Sequence, residues 1–129
     1  MRLFYVLIHS FIHLFLVFLI VVLLKLDWYH TLIAFIATCA VDLDHTLLVL
    51  KNGIKGYLFL RAVTEFRKPR KYFLHNFFSI FFSFLFSFLI FSESMFAVGI
   101  ACLSIFFHLL WDFFEDVFIF KMGIKHWLI

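Results

Sequence analysis

Apolar residues run almost unbroken along four stretches of the chain, at about residues 3–24, 28–50, 72–91 and 95–120. Each is close to the ~20 apolar residues that a helix needs to cross a bilayer. The pattern predicts an all-α protein: one integral-membrane four-helix bundle covering residues 1–129 as a single domain. The first stretch begins "MRLFYVLIHSF", which has the place of a signal peptide. Its apolar region is too long for one, however, and the following "LLKLDWYH" offers no small-residue cleavage site. It is expected to stay as a span. Uniformly apolar helices carry little periodicity, so the inward face of each is not set by the pattern.

Composition agrees with this class. Of 129 residues, 66% are hydrophobic and 15% charged, against roughly 45–50% and 25% in soluble domains. The 23 phenylalanines read as lipid-facing filler. Cys39 and Cys102 lie inside apolar runs with no ligand or disulfide spacing and read as buried, inert thiols. No glycine-rich phosphate loop, nucleophile elbow or C-x-x-C pair is present, which argues against nucleotide hydrolysis, serine catalysis and thiol redox chemistry.

Charge sets an expected topology. The linker between the second and third stretches carries Lys51, Lys55, Arg61, Arg67, Lys68, Arg70 and Lys71 against Glu65 alone. The positive-inside rule puts this linker in the cytoplasm, and with it both termini, which carry Arg2, Lys121 and Lys125. Residues Ile54 to Phe66 read as a short interfacial helix. Such a basic segment attracts anionic phospholipid headgroups by about 1 kcal/mol per cation; serving only as a topology determinant is the plainer reading, and nucleic acid the weaker alternative. Membrane lipid is the expected surrounding.

Against this background the polar residues stand out. A charge at the centre of a membrane helix costs roughly 2.5–3.5 kcal/mol, yet "AVDLDHTLLVL" places Asp42, Asp44 and His45 inside the second stretch. His9 and His13 lie in the first, His75 in the first turn of the third, and His108, Asp112, Glu115 and Asp116 in the last. With ~1.5 Å of rise per residue, all fall in the cytoplasmic half. His9 with His13, and His108 with Asp112, are four apart, and Asp42 with His45 three apart, so each pair shares a helix face. Bundle cores hold metals through His and carboxylate side chains on facing helices. The donors suit a divalent metal, zinc above all, with manganese or iron as alternatives. Acidic and His residues at helical spacing from all four stretches point to a shared metal site, with Asp44 turned elsewhere in a regular helix, toward a second ion or a supporting role. Taken one at a time, each has a plainer reading, as an interhelical hydrogen-bond partner or a charge near the membrane surface.

Several pieces resemble the YdjM-type family of small prokaryotic membrane-bound proteins described as metal-dependent hydrolases. They are "DWYH" at 27–30, "DLDH" at 42–45, a basic linker leading to His75, and "HLLWD" at 108–112. That family is distantly similar to the helical zinc phospholipase C and P1 nuclease group, which cleaves phosphoesters with clustered zinc ions. The resemblance implies a multi-pass inner-membrane hydrolase with metal ligands at His9 or His13, Asp42, Asp44 or His45, His75, His108 and Asp112. The chain departs from the pattern at Val41, where the family tends to have Pro, and in "RKYFLHN", which keeps His75 but lacks a second His and two hydroxyls.

The expected function is therefore a membrane-embedded, metal-dependent hydrolase of a phosphoester or phospholipid, with Asp44 or Glu115 as general base. Two other classes stay open: a non-enzymatic scaffold or holin-like protein held by interhelical hydrogen bonds, and a metal or proton transporter.

Overall fold

The computed structural model describes residues 2–42, 74–119 and 127. Among them the chain is all helical. The α-helices are α1 (Arg2–Leu24), α2 (Trp28–Val41), α3 (Phe77–Ser87) and α4 (Phe96–Phe114). Short 3-10 turns at Phe88–Phe91 and Glu93–Met95 join α3 to α4, and a π turn, Glu115–Ile119, extends α4. The basic linker, Asp44 and His45 lie outside the described residues.

Local chemistry sets the ends. Lys25 closes α1 with a left-handed φ of 51°, a conformation costing a non-glycine residue about 1–2 kcal/mol. The Leu26 N–H reaches back to the Val21 carbonyl at 3.0 Å, which satisfies one of the last orphan carbonyls. Asp27 then caps α2, its carboxylate accepting the backbone N–H of His30 at 2.8 Å. That N–H, followed by the His30 ring, holds the exposed Asp27 carboxyl below its usual range. Asn76 caps α3 in the same way, accepting the Ser79 N–H at 2.9 Å. His75 therefore precedes the helix instead of lying in its first turn, because the side-chain amide of Asn76 starts the helix after it.

Helix α4 is the hub, packing against α1, α2 and α3. Its buried stripe holds Gly99, Ile100, Ser104, His108, Leu109 and Asp112. Helix α2 offers Ala34, Ala37, Thr38 and Val41 at helical spacing, α1 offers His13, Val17 and Ile20, and α3 offers Ile80, Ser83 and Ser87. Small residues let the backbones approach. Two apolar clusters result: Val17, Ala34 and Ile100 near one end, and Val41, Ile80, Leu109 and Trp127 near the other. The outward faces are also apolar, with Phe11, Phe15, Phe18, Phe78, Phe82 and Phe88 all exposed. Cys39 is exposed too, correcting its expected burial: it sits about 100° round the helix from Thr38 on the packed face. Among the described residues one helix, Glu93–Ile119, is long and apolar enough to cross a membrane.

The tightest approach is at Gly99. A Cβ there would lie 2.3 Å from the Ile90 nitrogen and 2.7 Å from the Leu89 carbonyl carbon. Both are backbone atoms and neither can swing aside. Gly99→Ala is expected to destabilise the α3–α4 hairpin by about 1–3 kcal/mol or more, read as a lower thermal midpoint of the detergent-solubilised protein. An unchanged midpoint would mean the hairpin is looser than described.

Candidate metal centre

The polar residues gather at one end of the bundle. His9 and His13 come from α1, Asp42 from the C-terminal cap of α2, and His75 from the segment before α3. His108 and Asp112 come from α4 and Glu115 from its π turn. Both α1 histidines face the cluster. Asp42 sits where a helix dipole disfavours an anion, a placement that a cation bound nearby would offset.

Asp112 is the centre, 8% exposed. Its Oδ1 lies 3.1 Å from His13 Nε2 and 3.8 Å from His9 Nε2. Its Oδ2 lies 3.0 Å from His75 Nε2 and 3.2 Å from His108 Nε2. His9 and His13 approach each other at 3.1 Å through their Nε2 atoms, and His108 Nε2 lies 3.5 Å from Asp42 Oδ1. One carboxylate is thus shared by two sets of donors. His9, His13 and Asp112 form one, their ligand atoms all within 4.8 Å of one another, and Asp42, His75 and His108 form the other.

These spacings can be tested against a metal. Ligands about 2.1 Å from a tetrahedral zinc stand roughly 3.4 Å apart. The separations above scatter around that value. The alternative, that these atoms simply bond one another, leaves loose ends: Asp112 Oδ1 and His108 Nε2 are buried and make no well-aligned hydrogen bond. His75 Nε2 does bond Asp112 Oδ2, and His13 Nε2 bonds His9 Nε2; buried polar atoms are normally satisfied, so the two left over fit a common ion among the donors. The set of imidazole nitrogens and carboxylate oxygens suits zinc, manganese or iron.

Two residues have supporting positions. Glu115 Oε2 lies 2.8 Å from His9 Nδ1 and is buried, so it is an inward partner of His9 and not a surface charge. Its carboxylate fixes the His9 ring in the way that outer carboxylates orient metal-ligating imidazoles. Trp127 is a residue that the sequence pattern did not reveal. It is 1% exposed. Its indole N–H donates to Asp116 Oδ2 at 3.0 Å, and its carbonyl accepts the Phe77 N–H at 2.9 Å. Its ring centroid lies 6.2 Å from that of His75. A lone aromatic near the C-terminus carries no periodic signal that would have marked it.

Comparison of the chain with family profiles, curated proteins and solved structures finds no match in any of the three.

Trp127→Phe keeps the ring but removes the donor to Asp116. It is expected to cost about 1 kcal/mol by thermal unfolding, with larger loss for Trp127→Ala, which also opens the packing over Ile80 and Leu109. Equal midpoints for the Phe variant and the wild type would show that the indole N–H contributes nothing.

Proposed function

We propose that this chain is a multi-pass membrane protein with a two-ion centre that hydrolyses a phosphoester. The observation that carries the reading is Asp112, whose two oxygens face separate donor sets. One set is Asp42, His75 and His108, and with Asp112 Oδ2, which lies beside both of its histidines, it would offer four donors. The other, His9, His13 and Asp112, offers three donors, the pattern of catalytic sites that keep a position for water. When bound, such ions supply a water activated near neutral pH and positive charge for the transferring phosphoryl group.

The residues define the rest. Asp112 holds the two donor sets at a fixed separation. Glu115 keeps His9 turned so that its Nε2 points at the site, which assigns Glu115 to orientation in place of the general-base role expected from its position. In the reaction the oxygen of water joins phosphorus, the P–O bond to the alcohol breaks, and the alcohol oxygen takes a proton from that water. The cytoplasmic basic linker would gather anionic headgroups at this end of the bundle.

A membrane setting is supported by the apolar exteriors of α1 and α3, far larger than a monomeric soluble protein exposes. It is supported too by serines that need no solvent: the hydroxyls of Ser83, Ser87 and Ser104 donate to the Ile80, Phe84 and Ile100 carbonyls of their own helices. The lysines and arginines of the basic linker support a cytoplasmic position for this end.

Elemental mass spectrometry of the purified protein is expected to show about two equivalents of zinc, manganese or iron. Asp112→Ala is expected to lose both and Asp42→Ala one. A wild type that stays metal-free after reconstitution, together with tolerance of Asp42→Asn, would favour the scaffold reading instead. In a second measurement, Glu115→Gln should weaken one ion by about 10–100-fold in competition with a chelator. Unchanged affinity would remove Glu115 from the His9 side of the site.

A further inference from the structure

The side chains of the metal centre stand on two kinds of backbone. His9, His13, His108 and Asp112 lie within α1 and α4, where the helix itself fixes the main chain. His75 precedes α3, Asp42 is the C-terminal cap of α2, and Glu115, which turns His9, lies in the π turn. These three stand outside regular α-helix. Even so, His75 Nε2 is held 3.0 Å from Asp112 Oδ2, and Glu115 Oε2 2.8 Å from His9 Nδ1. Aiming such side chains to a fraction of an ångström takes contacts from beyond their own elements.

Trp127 makes contacts beside all three. Its carbonyl accepts the N–H of Phe77 at 2.9 Å. Phe77 is the first residue of α3, so this N–H is one of the orphan donors of a helix start, and the bond fixes the chain just after His75. The indole N–H donates to Asp116 Oδ2 at 3.0 Å, next in sequence to Glu115. The ring belongs to the buried cluster that holds Val41, the neighbour of Asp42, and its centroid is 6.2 Å from that of His75. Tryptophan in a membrane protein commonly marks the interface, with its N–H toward water, and Trp28 is exposed in that way, at 77%. Trp127 is 1% exposed, with both its N–H and its carbonyl turned inward.

We propose that Trp127 is a positioning residue of the metal centre, which holds the His75 segment and the π turn in register across the Asp112 end. It acts through His75 and Glu115 and not as a ligand, since an indole N–H only donates. Its geometry stands on the two hydrogen bonds alone, and its purpose rests on the two-ion reading. The two bonds run to different places, so their effects separate. The carbonyl bond serves the set of Asp42, His75 and His108. The indole bond, through Asp116 and Glu115, serves the set of His9, His13 and Asp112.

The test cuts one bond at a time in the full chain, purified in detergent. Phe77→Pro removes the N–H that Trp127 accepts. Proline suits a first helical position, the extended Asn76 before it, at φ −144° and ψ 165°, suits a following proline, and the Phe77 side chain is half exposed. Trp127→Phe removes the indole donor and keeps a ring. Chelator competition on the zinc-loaded protein is expected to show one ion weakened about tenfold in each variant, and a different ion in each. In an Asp42→Ala background, which leaves the ion of His9, His13 and Asp112, Trp127→Phe should weaken that ion about tenfold and Phe77→Pro should leave it unchanged. Asp116→Asn, which keeps an acceptor, should bind like the wild type, and Asp116→Ala like Trp127→Phe. A second readout needs no metal: diethyl pyrocarbonate labelling with mass spectrometry reports access to each imidazole. His13, His75 and His108 are all buried, and Phe77→Pro is expected to open His75 while the other two stay protected. Equal opening of all three would make the bond a general prop of the fold, and full protection of His75 would give it no role; either result overturns the proposal, as does equal weakening of both ions in both variants. A wild type without zinc, with His75 alone opened by Phe77→Pro, sinks the two-ion reading and keeps the positioning of His75. Two ions in the wild type, unmoved in either variant, sink the positioning role alone.

Discussion

A single buried carboxylate organises this protein. Asp112 stands between histidines from α1, α4 and the segment before α3, with one oxygen toward each group. In an apolar bundle, a carboxylate without compensation is expensive. Its compensation here comes from other helices, so the helices have to converge where it lies. The same requirement explains why α4 is the hub. His108, Asp112 and Glu115 fall at positions i, i+4 and i+7, one stripe of one helix, and every other polar partner is drawn to that stripe.

Much of this was written in helical spacing. The intervals from His9 to His13 and from His108 to Asp112 placed each pair on one face, and a face with two ionisable groups in an apolar helix turns inward. That both α1 histidines are used follows from the same spacing, although uniform hydrophobicity hid the direction. Other features depend on departures from regular geometry. The π turn carries Glu115 and Asp116, and the sequence left Glu115 open between a general base and a charge near the membrane surface. His75 was read as helical because the apolar run begins before it, while the Asn76 cap that ends the argument is a local hydrogen bond. Trp127 reaches the centre through tertiary contact alone. Asp44, His45 and the basic linker, which supplied part of the motif and the topology signal, lie outside the described residues.

The apolar exterior changes what holds the bundle together. Where side chains face outward as phenylalanine, burying more apolar surface brings little advantage if the surroundings are equally apolar. Packing and polar contacts then carry the specificity. Gly99 shows the packing side, its Cα pressed to the backbone of the 3-10 turn so closely that a methyl group has no room. The serines show how such a chain tolerates hydroxyls, each returned to a carbonyl of its own helix. These devices work along the whole length of the helices and ask nothing of the histidines.

That contrast bears on the choice between a structural and a functional centre. A polar network kept only to join helices gains by satisfying each of its atoms, since a partly satisfied buried network is worse than an apolar core. Among the other described residues Asp27, Asn76 and the three serines each have a defined bond, with the Trp111 indole N–H an exception. At the Asp112 end the chain satisfies them only in part, through His9 with Glu115, His9 with His13 and His75 with Asp112. Asp112 Oδ1, both nitrogens of His108, Nδ1 of His13 and the Thr38 hydroxyl are buried without a formed hydrogen bond, although their neighbours stand little more than 3 Å away. Atoms brought that close and left unbonded are arranged around something other than each other. An ion held among these donor atoms would give Asp112 Oδ1 and His108 Nε2 the partner that the neighbouring helices bring close but do not supply.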